Sequence, residues 1–461
     1  MAVFTELSSA KTTYFHLFDG EFSPDELRES QDFLCEQLHQ TREISTDLPA
    51  DFADLEAWMH ASVEEVGAQY HRYLEERKDG APRRYFSGKA HALYFLKSVA
   101  PTKMVDGAWL YGLCRHWQEP RFSNLIKTYL EELGEGLPSK NHVTLYQKLL
   151  RKEGCERWDD LSDEHYVQGA IQLALAYNAE HFLPEVIGFN LGYEQLPLHL
   201  LITAYELKEL GIDPYYFTLH ITVDNADSGH ARQAVDAIFD SMPRVGDCDE
   251  WLERVRAGYA LNFLGKSTTQ VISEFDLEAE MNAIFARKGV VGQYAHSDYR
   301  QVEGRTVNDW LSAPDDAAAL TQAMERDGWF ARGQDPKNSR FWRLIAGERA
   351  KMFGVFSAYE QHVIYDWIAN GADSGGFDAK WKPSAQKRLS FEEQHAIRAN
   401  FESQEAQNTD FDAEERALLE HLANAKTQPH TMEKLIELIS PARHYSNAGL
   451  MATRIFNDVL G

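Results

Sequence analysis

The run YYFTLHITVDNADSGHA, residues 215–231, constrains this chain more than any other stretch. Tyr215, Tyr216, Phe217, Leu219, Ile221 and Val223 demand burial and carry His220 and Asp224 inward with them. Burying an imidazole and a carboxylate costs on the order of several kcal/mol unless something pairs with them. No lysine or arginine lies inside the run to neutralise Asp224. The compensating partner must come from elsewhere in the fold, or be a bound cation.

Locally the run reads two ways. Phe217 to Asp224 alternates apolar and polar residues and is rich in β-formers, which is the period of a strand. Asp213-Pro214 immediately before it is a helix opening. In a strand His220, Thr222 and Asp224 share a face; in a helix His220 and Asp224 share one at i and i+4. Both geometries bring imidazole and carboxylate together. The helix is favoured, because no partner strands are evident nearby.

Elsewhere the helical period dominates, and the expected class is all-α. Ser23-Pro24-Asp25-Glu26 forms a capping box with a first-turn proline, opening a helix toward Thr41. Further helices are predicted over Ala50–Glu76, Ala90–Ala100, Val105–His116, Arg121–Leu133, Asn141–Arg151, Ser162–His181 and Pro184–Gly211. After about Pro243, helices recur between loops rich in Gly, Asp, Asn and Pro, and Ser357 to Glu360 is another capping box. This pattern divides the chain into an N-terminal helical segment (1–85), a central domain (86–245) and a long helical C-terminal extension (246–461). In that extension Phe353, Phe356, Tyr359, Val363 and Trp367 are expected to be core.

Of 461 residues, 72 are acidic and 46 basic, a net charge of −26. That balance offers no basic stripe for phosphates and argues against a nucleic-acid partner. No window is long and apolar enough for a membrane span, and the N-terminus lacks a signal-peptide pattern, so a soluble cytoplasmic protein is expected. Cys35, Cys114, Cys155 and Cys248 are widely spaced and form no zinc or disulfide frame.

A ferritin-like dimetal centre would repeat Glu-x-x-His on two helices. The pattern occurs at Glu36/His39 and Glu392/His395, both on faces that read as solvated. A different constellation is more informative. Glu132 ends a predicted helix, a glycine-rich turn follows, and His142 opens the next helix on its apolar side. Glu185 follows Pro184 in the first turn of an apolar helix, with His181 four residues before it. Each alone has a structural explanation as a cap or a helix-dipole complement.

Taken in order, E-L-G-x-G, a histidine ten residues after that glutamate, P-E-x-x-G-F, H-x-x-x-D and a later His-Ala resemble the heme-oxygenase-like diiron oxidases and oxygenases, an iron-containing redox enzyme family. The resemblance spans roughly Ala90 to Pro243. It implies a heme-oxygenase-like helical fold binding two ferrous ions rather than heme. Carried onto this sequence, it makes Glu132, His142, Glu185, His220 and Asp224 iron ligands. Asp106 stands where members with a fuller ligand set place another carboxylate, and His230 would be the last histidine. The chain departs from the family at that point, because the family pattern is H-x-x-x-D-x-x-H and the residue three beyond Asp224 is Asp227. In an unbroken helix His230 would be turned about 80° from His220. Gly229 allows a local distortion, and Asp227 is the alternative.

The resemblance further implies an O2-dependent oxidoreductase acting on a small, amino-acid-derived substrate by N-oxygenation or oxidative decarboxylation and C–C cleavage, often in natural-product pathways. A carboxylate and imidazole donor set without cysteine suits iron or manganese. The alternative is a helical binding or scaffold protein that has lost the chemistry. Arg83, Arg84, Lys89 and Lys103 are candidates to hold a substrate carboxylate, with ordinary surface charge the plainer reading. Whether the extension covers the site or mediates a homodimer stays open at this stage.

Overall fold

A computed structural model describes residues 9–223, 229–292, 301–312, 317–346, 350–370, 412–425 and 427–460. Among them the chain is helical, apart from a two-residue antiparallel pairing of Gln301–Val302 with Arg305–Thr306. No helix of the described residues is long and apolar enough to cross a membrane. The capping boxes at Ser23 and Ser357 form as their sequence predicts, each side chain accepting the backbone N–H three residues on.

The stretch that reads both ways is a helix, Tyr215–Val223, whose first N–H is held by Asp213 Oδ1 at 3.1 Å. Two expected helices differ. Pro184–Gly211 is broken into Leu183–Tyr193 and Leu198–Glu209. Pro197 causes the break, since it has no N–H to donate and disfavours helical backbone in the residue before it. Val105–His116 is not one α-helix, because Gly107 turns left-handed (φ 79°) and a 3₁₀ run follows over Ala108–His116. A Cβ on Gly107 would lie 2.7 Å from Glu132 Cβ, so the turn brings this backbone against a predicted ligand as only glycine can.

Two apolar cores are filled from different parts of the chain. One gathers Tyr14, Leu34, Trp109, Tyr129, Ile171, Phe189, Ile238 and Val255 with the C-terminal Leu435 and Phe456. The other joins Leu93, Tyr146, Leu207 and Phe217 to Phe285, Phe341 and Ile364 of the extension. Phe356, Tyr359, Val363 and Trp367 are buried there as expected, whereas Phe353 is 66% exposed. The cores meet along a polar seam. Met104 belongs to one and Val105 to the other, and the same change of side separates Val143 from Leu133, and Phe217 from Ala231. The predicted ligands lie beside these switch points.

Candidate metal centre

Five of the predicted residues converge on this seam: Asp106, Glu132, His142, His220 and His230, all buried. Asp106 follows the short helix Ala100–Lys103 and precedes the Gly107 turn. Glu132 is the last residue of helix Ser123–Glu132, and His142 is the first of helix His142–Glu153, whose cap is Asn141. The glycine-bearing turn between them folds the two side chains into contact, Glu132 Oε2 against His142 Nδ1. His220 comes from helix Tyr215–Val223. His230 opens a separate helix, His230–Ser241, so no distortion of a continuous helix is needed to bring it in.

Donor atoms of Asp106, Glu132, His142 and His220 lie within 4.8 Å of one another, and so do those of Glu132, Glu194 and His230. Glu132 belongs to both groups. Its Oε2 faces His142, while its Oε1 is 3.4 Å from His230 Nδ1. His230 Nδ1 is also 3.1 Å from Glu194 Oε2, and its Nε2 is 2.7 Å from Glu131 Oε2. On the other side His220 Nε2 is 3.1 Å from Asp106 Oδ2 and His142 Nδ1 is 3.7 Å from it.

The remaining contacts of these groups orient them. His220 Nδ1 lies 2.9 Å from the Tyr216 carbonyl, which can only accept, so Nδ1 carries the proton. In the neutral ring the Nε2 lone pair then faces a carboxylate oxygen, a repulsive arrangement unless a proton or a cation sits between them. Asp106 accepts from Tyr193 Oη at 2.7 Å and from Tyr216 Oη, and Lys103 Nζ lies 3.8 Å from it. Burial would raise the Asp106 carboxyl, but Lys103 and the two histidines hold it well below the usual carboxylate range. Burial would likewise lower His142, yet Glu132 and Asp106 hold it up to about 10. Lys103 is thus the cation the opening run lacks, and its side chain is 20% exposed.

One predicted ligand among the described residues is not part of this cluster. Glu185 is buried but turned away, and Arg254 grips it with Nε at 2.7 Å from one oxygen and Nη2 at 2.8 Å from the other. Helices Leu183–Tyr193 and Cys248–Ala260 cross here at close range. A Cβ on Gly188 would lie 1.9 Å from the Val255 carbonyl, and one on Gly258 would lie 2.2 Å from that of Glu185. Glu185 shares the face of Gly188 and Gly192, which is the face pressed against the neighbouring helix. Nine positions later the helix has turned by about 180° from Glu185, and Glu194 there points into the cluster. Asp224 lies outside the described residues, as does its alternative Asp227. Glu36 and His39 lie near the surface as expected, Gln40 Nε2 donating to Glu36 Oε1 at 3.3 Å, and Glu392/His395 fall outside the described residues.

Sequence reasoning missed Glu194, Glu131, Tyr193, Tyr216 and a contribution from the far C-terminus. The small-residue face Gly188/Gly192 was the available signal for Glu194, since it marks the side of the helix taken by a neighbour. Helix Asn447–Leu460 backs the Glu132–His142 turn, and the connection before it supplies His444. Arg454 Nη1 donates to the Gly136 carbonyl at 2.8 Å and Tyr129 Oη donates to that of Ile439. Asn141 Nδ2 bonds the Leu133 carbonyl at 3.1 Å and lies 3.0 Å from His444 Nδ1. Burial, reinforced by His142, pushes His444 down to about 3, so it is neutral and can accept that bond. Of the four cations considered for a substrate, Lys89 faces Glu153 at 3.5 Å and Arg83 bonds the Phe86 carbonyl at 2.8 Å. Only Lys103 reaches the cluster.

No curated protein and no solved structure gives a significant match to this chain. The family model described as iron-containing redox enzyme matches residues 93–263, a span that carries every residue of the carboxylate–histidine cluster described above.

Proposed function

We propose that the chain is an O2-dependent non-heme oxidoreductase whose two ferrous ions share Glu132. One ion would be held by Asp106, Glu132, His142 and His220, the other by Glu132, Glu194 and His230. Asp224, four residues after His220 in the sequence, remains a candidate for either. The observation that carries this reading is one buried carboxylate common to two donor groups, with one oxygen turned toward each. Two features fit a metal in particular. Glu132 Oε2 and His142 Nδ1 touch in the interior, yet neither has a hydrogen bond of normal geometry. The donors are carboxylate and imidazole, with no cysteine, as suits iron. Asp106, Glu132, Glu194 and Asp224 would balance the charge of two ferrous ions.

When bound, the metal pair would supply the activation of O2. The protein's part is placement and proton handling. Tyr216 fixes the His220 ring through its carbonyl, and Tyr193 and Tyr216 fix Asp106 through their hydroxyls. Lys103 Nζ donates to Tyr193 Oη at 2.9 Å, and Tyr193 donates in turn to Asp106 Oδ1. This chain runs from a partly exposed ammonium to the buried carboxylate, and it can pass a proton to Asp106 Oδ1 without admitting water. The substrate in this reading is a small amino-acid-derived molecule undergoing N-oxygenation or oxidative C–C cleavage, with Lys103 the cation nearest to meet its carboxylate.

Anaerobic titration of the metal-free protein with ferrous iron tests the proposal. Uptake of two irons per chain, falling in a folded His220→Ala variant, supports it. Absence of specific uptake in the parent protein would leave a helical scaffold without this chemistry.

A further inference from the structure

A second feature lies in the C-terminal extension, away from every residue of the metal centre. A cavity of about 390 Å³ opens among helices Leu277–Gly292, Ala317–Arg326 and Trp342–Ile345, a size ordinary for small-molecule sites. Its interior is apolar, with Phe285, Leu320, Met324 and Phe341 buried around it. At its edge Val355 is 41% exposed and Phe353, two residues before it, 66% exposed, which extends the apolar surface outward.

The charge around it is one-sided. Lys288, Arg340 and Lys351 line the cavity, and among the described residues no aspartate or glutamate does. Lys288 is neutralised by Glu360, 2.8 Å away. Arg340 Cζ lies over the Trp329 ring, 4.0 Å from its centroid, a cation–π contact that favours this position of the guanidinium. Arg340 and Lys351 are exposed, and neither has a carboxylate partner among the described residues. In a chain of net charge −26, two uncompensated cations beside an apolar cavity run against the surface as a whole. The tryptophan stacks against one of these cations, and the described lining of the interior is mainly apolar.

We propose that this cavity binds an amphiphilic anion, an apolar chain or ring bearing one anionic group, with the apolar part among Leu320, Met324 and Phe341 and the charge at Arg340 and Lys351. The test is calorimetric titration of the full chain with three probes of equal tail length, each below its micellar threshold: decane-1-sulfonate, decan-1-ol and decyltrimethylammonium. The expected result is one sulfonate per chain, at least tenfold weaker binding of the alcohol, and no binding of the cation. Arg340→Glu combined with Lys351→Glu should weaken sulfonate binding at least tenfold while leaving iron uptake unchanged. Met324→Trp, which fills the cavity, should abolish it. Equal binding of all three probes, no sulfonate binding, or sulfonate binding unchanged in the double variant would each overturn the proposal. The double variant alters only exposed side chains, so it decides the matter even if Met324→Trp fails to fold. Because iron uptake is read separately, failure here and failure of the diiron reading are distinguishable.

Discussion

Two carboxylates at opposite ends of one helix, Glu185 in its first turn and Glu194 at its C-cap, compete for a single role, and exchanging each for its amide separates them. The geometry assigns opposite consequences. Glu185→Gln leaves Arg254 facing an amide in place of a bidentate carboxylate. Hydrogen bonds to charged groups contribute about 1.5–3 kcal/mol each, but the Arg254 side chain is 39% exposed and water compensates much of the loss. A destabilisation of about 1–2 kcal/mol is expected, a fall in Tm of roughly 2–4 °C at most. Iron uptake should stay at the parental value, because Glu185 faces away from the cluster. Glu194→Gln removes a charge whose oxygen lies 3.1 Å from His230 Nδ1 and takes a donor from the smaller group. Affinity for the second iron should fall by on the order of a hundredfold, as for loss of a residue that holds or orients a metal, with uptake dropping toward one per chain. The amide leaves His230 Nδ1 with a neutral partner in place of a carboxylate, so the metal-free variant should be less stable than the parent by about 1–3 kcal/mol. The assay pairs anaerobic iron titration with thermal melting of metal-free protein. If Glu185→Gln halved iron uptake while Glu194→Gln kept it whole, the helix would be oriented the other way in solution and the ligand assignment would fail.

Other consequences are more local. His444→Ala removes the partner of Asn141 Nδ2 beside the ligand-bearing turn; it should cost about 1–3 kcal/mol in denaturant unfolding and weaken iron binding, with His444→Gln restoring much of both. Gly188→Ala would place a methyl 1.9 Å from the Val255 carbonyl, so the helix pair must separate; a loss of at least about 1–3 kcal/mol by melting is expected. Iron affinity should rise with pH between 6 and 9. Burial opposes charge on His142, but Glu132 and Asp106 hold its pKa up to about 10 in the metal-free protein. The proton is therefore present throughout that range and must leave for metal to bind, giving about tenfold tighter binding per pH unit for each proton displaced. A pH-independent affinity would contradict the protonated His142.

How much of this was legible in the sequence follows from how far apart the partners lie along the chain. The pairing of Glu132 with His142 was readable because a glycine-bearing turn of nine residues joins them, and local turn chemistry fixes their approach. The helix at His220 was readable from Asp213-Pro214 although the apolar period suggested a strand; tertiary burial on several sides had erased the helical pattern. Glu194 went unread for a different reason. Glu185 lies in the first turn of an apolar helix and Glu194 caps its end, and only the neighbouring helix, met at Gly188 by Val255 and at Glu185 by Gly258, decides which side faces the seam. His444 and Arg454 reach the turn, and Ile439 the helix before it, from some three hundred residues away, and nothing in their local pattern announces it. Lys103 read as surface charge because its partners Tyr193 and Asp106 lie on different elements.

The central claim is that Glu132 is shared between two metal ions. Crystals loaded anaerobically with ferrous iron, measured at the iron absorption edge, test it most directly. The account predicts two anomalous peaks about 3.5–4 Å apart, each bonded to a different oxygen of Glu132, with Glu185 still on Arg254. A single peak, or a pair in which Glu132 contacts neither ion, would contradict it.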